Sequence, residues 1–209
     1  MTDKLLWQGT VIAVQLRIRL TRSFDERTHT YLGYSLRMDG TVGGHPGAFL
    51  LGIGKGAQEK HAFRPGDSGR GACVLVPNPR LEPVGFYKVS GIKLLARGPE
   101  SVGPPPPWIG APPDLPTYRQ RGHRRLYDRT FDTKCACCLW ACRMAVEIIV
   151  DRWNPADKRY RFETFCYGPK SCPVYKAGPT RKVPGRKGMT WEEEDWVDQA
   201  AVAHRGEEE

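Results

Sequence analysis

The chain has 209 residues, 40% of them hydrophobic, and a formal net charge of +9. That is enough for one large domain or two small ones around a real core. No apolar run approaches the ~20 residues of a membrane helix, and Met1–Gln8 is too short and polar for a secretory signal. A cytoplasmic protein without membrane contact is expected, and its basic balance favours a polyanionic partner, nucleic acid first.

Thr10 to Arg22 alternates like a half-buried strand. Ile12, Val14, Leu16, Ile18 and Leu20 fall on its inner face, and Val11, Ala13, Gln15, Arg17 and Arg19 on its outer face. A polar turn over 23–28 leads into a second strand, Thr30 to Met38, which Asp39-Gly40 ends. Shorter strands are expected at Ala48–Ile53, Gly71–Val76 and Phe86–Leu95. The last changes parity at Ser90-Gly91, the mark of a bulge. Lys55–Phe63 supplies one helical turn at most, and Cys73 reads as a buried core thiol. Gly52-Ile53-Gly54-Lys55-Gly56 lacks the spacing of a phosphate loop and reads as a turn.

Five strands with little helix predict a small closed barrel, with an open sheet as the rival. Gly9-Thr10-Val11, Asp39-Gly40 and Pro65-Gly66-Asp67 carry a resemblance to the oligonucleotide/oligosaccharide-binding fold (OB-fold) over residues 5–96. The resemblance implies a surface that holds single-stranded nucleic acid, onto which Arg17, Arg19, Tyr31 and Arg37 fall. Arginines neutralise phosphates and an aromatic face stacks on a base. The plainer reading is a solvated polar exterior.

Gly98–Pro116 is rich in proline and reads as an extended tether that keeps two modules apart. Arg119, Arg121, Arg124 and Arg125 follow, interleaved with Tyr118, His123 and Tyr127, and join the candidate nucleic-acid residues. Six of the seven cysteines then lie between Cys135 and Cys172. An odd count in a reducing compartment favours metal over disulfides. Met144–Trp153 and Arg159–Cys166 predict a β-hairpin turning at Asn154-Pro155-Ala156-Asp157, which brings the early cysteines beside the late ones. Four of Cys135, Cys138, Cys142, Cys166 and Cys172 are the candidate ligands, with Cys137 pointing away. The arrangement resembles zinc ribbons, which implies Zn2+. Cys135-x2-Cys138-x3-Cys142 with a distant fourth cysteine also resembles an iron–sulfur site, so a [4Fe-4S] cluster is the alternative.

Pro169–Thr190 reads as an irregular basic arm, and the acidic run from Trp191 as a solubilising or competing tail with a short helix at its start. The expected fold class is mainly β: an OB-like barrel over 1–96, a Pro-rich linker over 97–117, a metal-stapled basic hairpin module over 118–190 and an acidic tail over 191–209. The histidines are scattered and no catalytic motif is present, so a binding protein rather than an enzyme is expected. A metal-stabilised scaffold within a protein complex and an iron–sulfur redox or sensor protein are the alternatives.

Overall fold

The computed structural model describes residues 3–24, 26–100 and 103–206; Ser101 and Val102 of the expected linker and Glu207–Glu209 of the expected tail lie outside them. The fold is mainly β. The first part contributes β1 (Leu5–Arg22), β2 (Arg27–Val42), β3 (His45–Ile53), β4 (Ser68–Leu75) and β5 (Phe86–Ala96), with α1 (Lys55–His61) between β3 and β4. β1 pairs antiparallel with β2 along most of its length and with β4 over Leu5–Thr10. β2 pairs with β3, β4 with β5, and β3 meets β5 in parallel at Leu51 opposite Phe86. The pairings thus lead from β1 through β2, β3, β5 and β4 back to β1.

Close approach and one bulge explain where these strands depart from expectation. β2 does not end at Asp39-Gly40; the turn is Gly43-Gly44, at φ of 57° and 84°. Gly40 stays inside the strand because β1 passes so near that a Cβ there would lie 2.2 Å from the Gln8 carbonyl oxygen. A register shift between Val11 and Ala13 bulges β1. The parity expected at its start is therefore reversed: Val11 is buried and Ile12 is 41% exposed. The Arg64–Asp67 turn docks on this bulge, Val11 N donating to Asp67 O at 2.7 Å and Gly66 N to Val11 O at 2.8 Å. The parity change in β5 is a bulge as expected, with Gly91 at φ 61°. α1 is a seven-residue helix rather than a single turn, tied down by buried Gln58 donating to Phe63 O.

The second part adds α2 (Leu115–Arg121), β6 (Arg124–Arg125), α3 (Asp128–Thr130) opening into a wider turn at Phe131–Cys135, β7 (Ala141–Asp151) and β8 (Asn154–Cys166). Asp114 caps α2, accepting from Thr117 N at 3.0 Å. β7 and β8 form the expected hairpin, but its turn is Arg152-Trp153. Asp151 Oδ1 accepts from Trp153 N at 2.9 Å and closes the chain before Asn154, so 154–157 belong to β8.

β7 runs parallel to β1, pairing Arg19–Arg22 with Ala145–Ile148. One eight-stranded sheet results, in the order β2-β3-β5-β4-β1-β7-β8-β6. One core also spans both parts: Leu16, Ile18, Leu20 and Leu36 pack in the same cluster as Cys142, Met144, Val146 and Phe165. Each of the aliphatic, Met and Phe side chains contributes about 1.5–3 kcal/mol through burial. The proline-rich segment therefore does not hold two modules apart. It lies on the body, Pro113 O accepting from the Tyr34 hydroxyl at 2.8 Å and Trp108 O from Leu139 N at 2.9 Å.

Residues 181–202 form regular elements, against the expectation of an irregular arm and a free acidic end. β9 (Arg181–Pro184) and β10 (Thr190–Glu193) form a second small sheet, followed by α4 (Asp195–Val202). Buried charge is the reason. Glu193 takes Arg22 at 3.4 Å and Arg27 at 2.8 Å. Arg181 is buried against Glu163 at 3.0 Å.

His29 of β2 meets His123 edge-on, ring centroids 4.7 Å apart, where the two parts join. Burial, then the charge of Arg27, lowers the His29 pKa to about 4, Glu193 opposing and Arg22 reinforcing. Burial lowers His123 as well. Below the ordinary histidine range the unfolded chain binds a proton that the folded chain refuses, so stability falls with falling pH. Between pH 6.5 and 4 His29 alone accounts for about 3 kcal/mol of that loss. His29→Leu should therefore flatten the acid limb, as read by urea unfolding across this range; an unchanged limb would assign the acid sensitivity elsewhere.

Candidate metal centre and nucleic-acid residues

All seven cysteines are free. The hairpin sorts them by parity. Ala141 and Cys166, paired in register, face a small second cluster that holds Leu126, Phe131, Cys135 and Cys138, bordered by Trp108, Trp140, Val174 and Tyr175. Cys142, one residue on, faces the main core with Met144 and Val146. Cys135 and Cys138 sit on the turn that ends α3, with Cys138 N donating to Cys135 O at 3.0 Å. Gln15, buried on β1, holds that turn in place by donating from Nε2 to Cys135 O at 3.1 Å and Cys138 O at 2.9 Å. The Tyr118 hydroxyl adds a bond to Leu139 O at 2.6 Å.

Electrostatics extends this group to Cys172. Burial pushes the Cys135 thiol up to about 12, and Cys138, Cys166 and Cys172 add to the shift. Burial raises Cys138 to about 11, with Cys166 and Cys172 contributing while the backbone N–H groups of Trp140 and Trp108 pull it down. Burial raises Cys166 too, opposed by the Gly168 N–H donating to its Sγ at 3.3 Å and by Arg124 and Arg205. Cys135, Cys138 and Cys166 thus share one buried cluster, and Cys172, six residues beyond the end of β8, bears on all three electrostatically. Among the described residues, no three His, Cys, Asp or Glu side chains already stand at the spacing of ligands to one ion. The donor set nevertheless suits a soft cation. It offers four thiols, amide N–H groups aimed at two sulfurs, and guanidinium groups that would offset thiolate charge.

The loop between Cys166 and Cys172 is clamped by arginines. Arg121 Nε donates to Tyr167 O at 2.8 Å, and Arg205 Nη1 to Tyr167 O at 3.2 Å and Gly168 O at 3.0 Å. Arg124 donates to Pro169 O at 2.9 Å and Lys170 O at 3.4 Å, and stacks 3.8 Å from the Tyr175 ring centroid.

The eight residues chosen from the sequence for nucleic acid do not form one surface. Arg17 was expected on an outer face, but that face is covered: the side chain is buried and both Nε and Nη2 reach Glu82 at 2.9 Å. Arg19 bonds Leu81 O and Glu82 Oε1, each at 3.0 Å. Arg125 is 1% exposed, ion-paired to Asp195 and, at 2.8 Å, to Asp198, and donates to Glu193 O at 2.9 Å. Arg121 and Arg124 serve the cysteine loop. Arg119, exposed, lies 4.6 Å over the half-buried Tyr31 ring, and half-buried Arg37 has an Nε without a hydrogen-bond partner among the described residues. Gln15, Glu82, Arg205 and Asp198 were missed. Only Gln15, a lone amide in an apolar strand, carried a local signal.

No helix among the described residues is long and apolar enough to cross a membrane. Comparison with known protein families, with curated proteins and with solved structures finds no match to this chain.

Proposed function

We propose that this chain is a nucleic-acid-binding protein in which an OB-like barrel is fused through β1 to a hairpin stapled by one zinc ion on Cys135, Cys138, Cys166 and Cys172. The carrying observation is that Cys135, Cys138 and Cys166 share one buried cluster on which Cys172 bears electrostatically, while Cys142 faces the main core. The cyclic strand order with a helix between β3 and β4 supports the OB-like reading, and the charge of +9 supports a polyanionic partner. Zinc is favoured over an iron–sulfur cluster because the cluster resemblance used Cys142 as its third ligand. The ion would supply folding energy and hold the loop that Arg121, Arg124 and Arg205 clamp. The free thiols of this site suit a reducing compartment such as the cytoplasm.

The test combines metal analysis of protein purified without oxygen with anisotropy titrations of single-stranded oligonucleotides. About one zinc per chain is expected, with binding that weakens steeply between roughly 50 and 200 mM salt. Brown protein containing iron would replace zinc by a cluster. A flat titration at the lowest salt would remove the nucleic-acid reading and leave a metal-stapled scaffold for a protein complex.

A further inference from the structure

A cavity of about 710 Å3 opens between the β1–β2 turn and α4. One part of its lining is charged. Arg22 and Arg27 are a register pair at the end of the β1–β2 hairpin, and both line the cavity. They share one carboxylate: Glu193 meets Arg27 at 2.8 Å and Arg22 at 3.4 Å. The Arg22 side chain is 2% exposed, and its Nε has no hydrogen-bond partner among the described residues. Half-exposed Arg27 engages only Nη1 among them. The one carboxylate of the lining itself, Glu26, is paired with Arg152 at 3.0 Å. Two guanidiniums on one carboxylate, one of them buried, leave positive charge that an anion would compensate. The rest of the lining is aromatic and aliphatic. Trp191 and Glu193 share one face of β10, which sets the Trp191 ring centroid 5.6 Å from the Arg22 guanidinium. On α4, Trp196 and Ala200 stand one turn apart, beside Val197 and Ala201. Phe24 completes the lining and packs against Gly185, where a Cβ would lie 2.9 Å from its ring. Trp196 is 60% exposed and offers its ring to a ligand.

The geometry points to this cavity as the seat of one unstacked nucleotide, its base against Trp196 and Phe24 and its phosphate on Arg27, backed by the charge of Arg22. Aromatic faces stack on any base, and arginines neutralise the phosphate beside it. A neutral apolar ligand would leave the charge of the two guanidiniums uncompensated, and a cation would be repelled by it. The volume suits a ligand of nucleotide dimensions. This rests on the nucleic-acid reading and adds to it a site that none of the eight residues chosen from the sequence supplies. A free nucleotide and a nucleotide within a single strand present the same base and phosphate, and two probes tell them apart.

The experiment compares the full-length protein, purified without oxygen, with Trp196→Ala and with Ala200→Glu. Both positions are exposed, so both variants should keep the melting temperature of the wild type. The first removes a stacking face, and the second sets a negative charge on the cavity wall. The probes are a fluorescein-labelled oligothymidylate of about 12 nucleotides, read by anisotropy, and thymidine monophosphate, read by quenching of tryptophan fluorescence. Trp196→Ala should lose about 10-fold in oligonucleotide affinity at low salt, and Ala200→Glu should bind at least as weakly. That result supports the cavity and assigns it to a single strand. Loss of thymidine monophosphate binding in both variants, with oligonucleotide binding intact, supports the cavity and assigns it to a free nucleotide. Unchanged affinities of both variants for both probes overturn the cavity and leave the nucleic-acid reading standing on Arg119 and Tyr31. Wild-type protein that binds neither probe at low salt overturns both.

Discussion

Replacing Cys166 by serine is expected to abolish the proposed zinc binding and to cost the folded chain more than about 4 kcal/mol, far beyond an ordinary point substitution. Cys166 ends β8 in register with Ala141 and borders the turn that holds Cys135 and Cys138. Without the proposed ion, the buried Cys138 thiol is left with the amide contacts of Trp108 and Trp140, and the Gly168 N–H loses its sulfur acceptor. Cys142→Ala is the matching control. Its side chain lies in the main core, so the change should cost about 1 kcal/mol and leave zinc content untouched. Zinc content by elemental analysis and stability by urea unfolding check both variants. A Cys142→Ala protein without zinc, or a C166S protein that retains it, would reassign the ligand set.

Arg125→Leu is expected to destabilise the chain by about 3–5 kcal/mol, the range for breaking one side of a buried ion pair. The guanidinium is 1% exposed, and its loss takes one donor from Asp198, which keeps the backbone N–H of residue 125, and leaves the Glu193 carbonyl without the guanidinium. Asp195 contributes little, because its side chain is 77% exposed and screened by water. Asp198→Asn should cost less than Arg125→Leu, since an amide oxygen still accepts from the Arg125 N–H. Urea unfolding measures both. A change below about 1 kcal/mol for Arg125→Leu would mean that α4 is attached by its apolar face alone.

Strand positions were legible because alternation survives in β1, β2, β7 and β8 wherever one face meets the core. The exceptions are local. Gly40 resembles a turn residue in sequence, yet it serves a close crossing with β1. The bulge at Val11–Ala13 exchanges two neighbours that are equally apolar, so hydropathy alone could not place it. The small sheet of the tail, and the docking of its expected helix, were hidden for another reason. Glu193 meets Arg22 171 residues earlier in the chain, and a sequence does not reveal which charges will pair across such a distance.

The cysteine site was more legible than it was read. Cys142 shares parity with Met144, Val146 and Ile148, the expected inner face of its strand, and that alone assigned it to the core. The arginines were harder. A guanidinium that binds phosphate and one that binds a backbone carbonyl are the same residue in a sequence. Arg121, Arg124 and Arg205 spend their donors on Tyr167–Lys170, a loop whose position depends on the hairpin and on α4 at once.

The shared strand β1 also governs how the chain is made. Arg19 pairs with Ala145, 126 positions further along the chain. During synthesis the second half of β1 must wait for β2 to β5, the proline-rich stretch and the cysteine turn to emerge. Its edge meanwhile offers unpaired amide and carbonyl groups beside Ile18 and Leu20, a ready template for another strand. Late pairing of this kind slows folding. A ribosome-bound chain of this protein is thus exposed to aggregation for most of its synthesis, and only the last third of the sequence closes the gap.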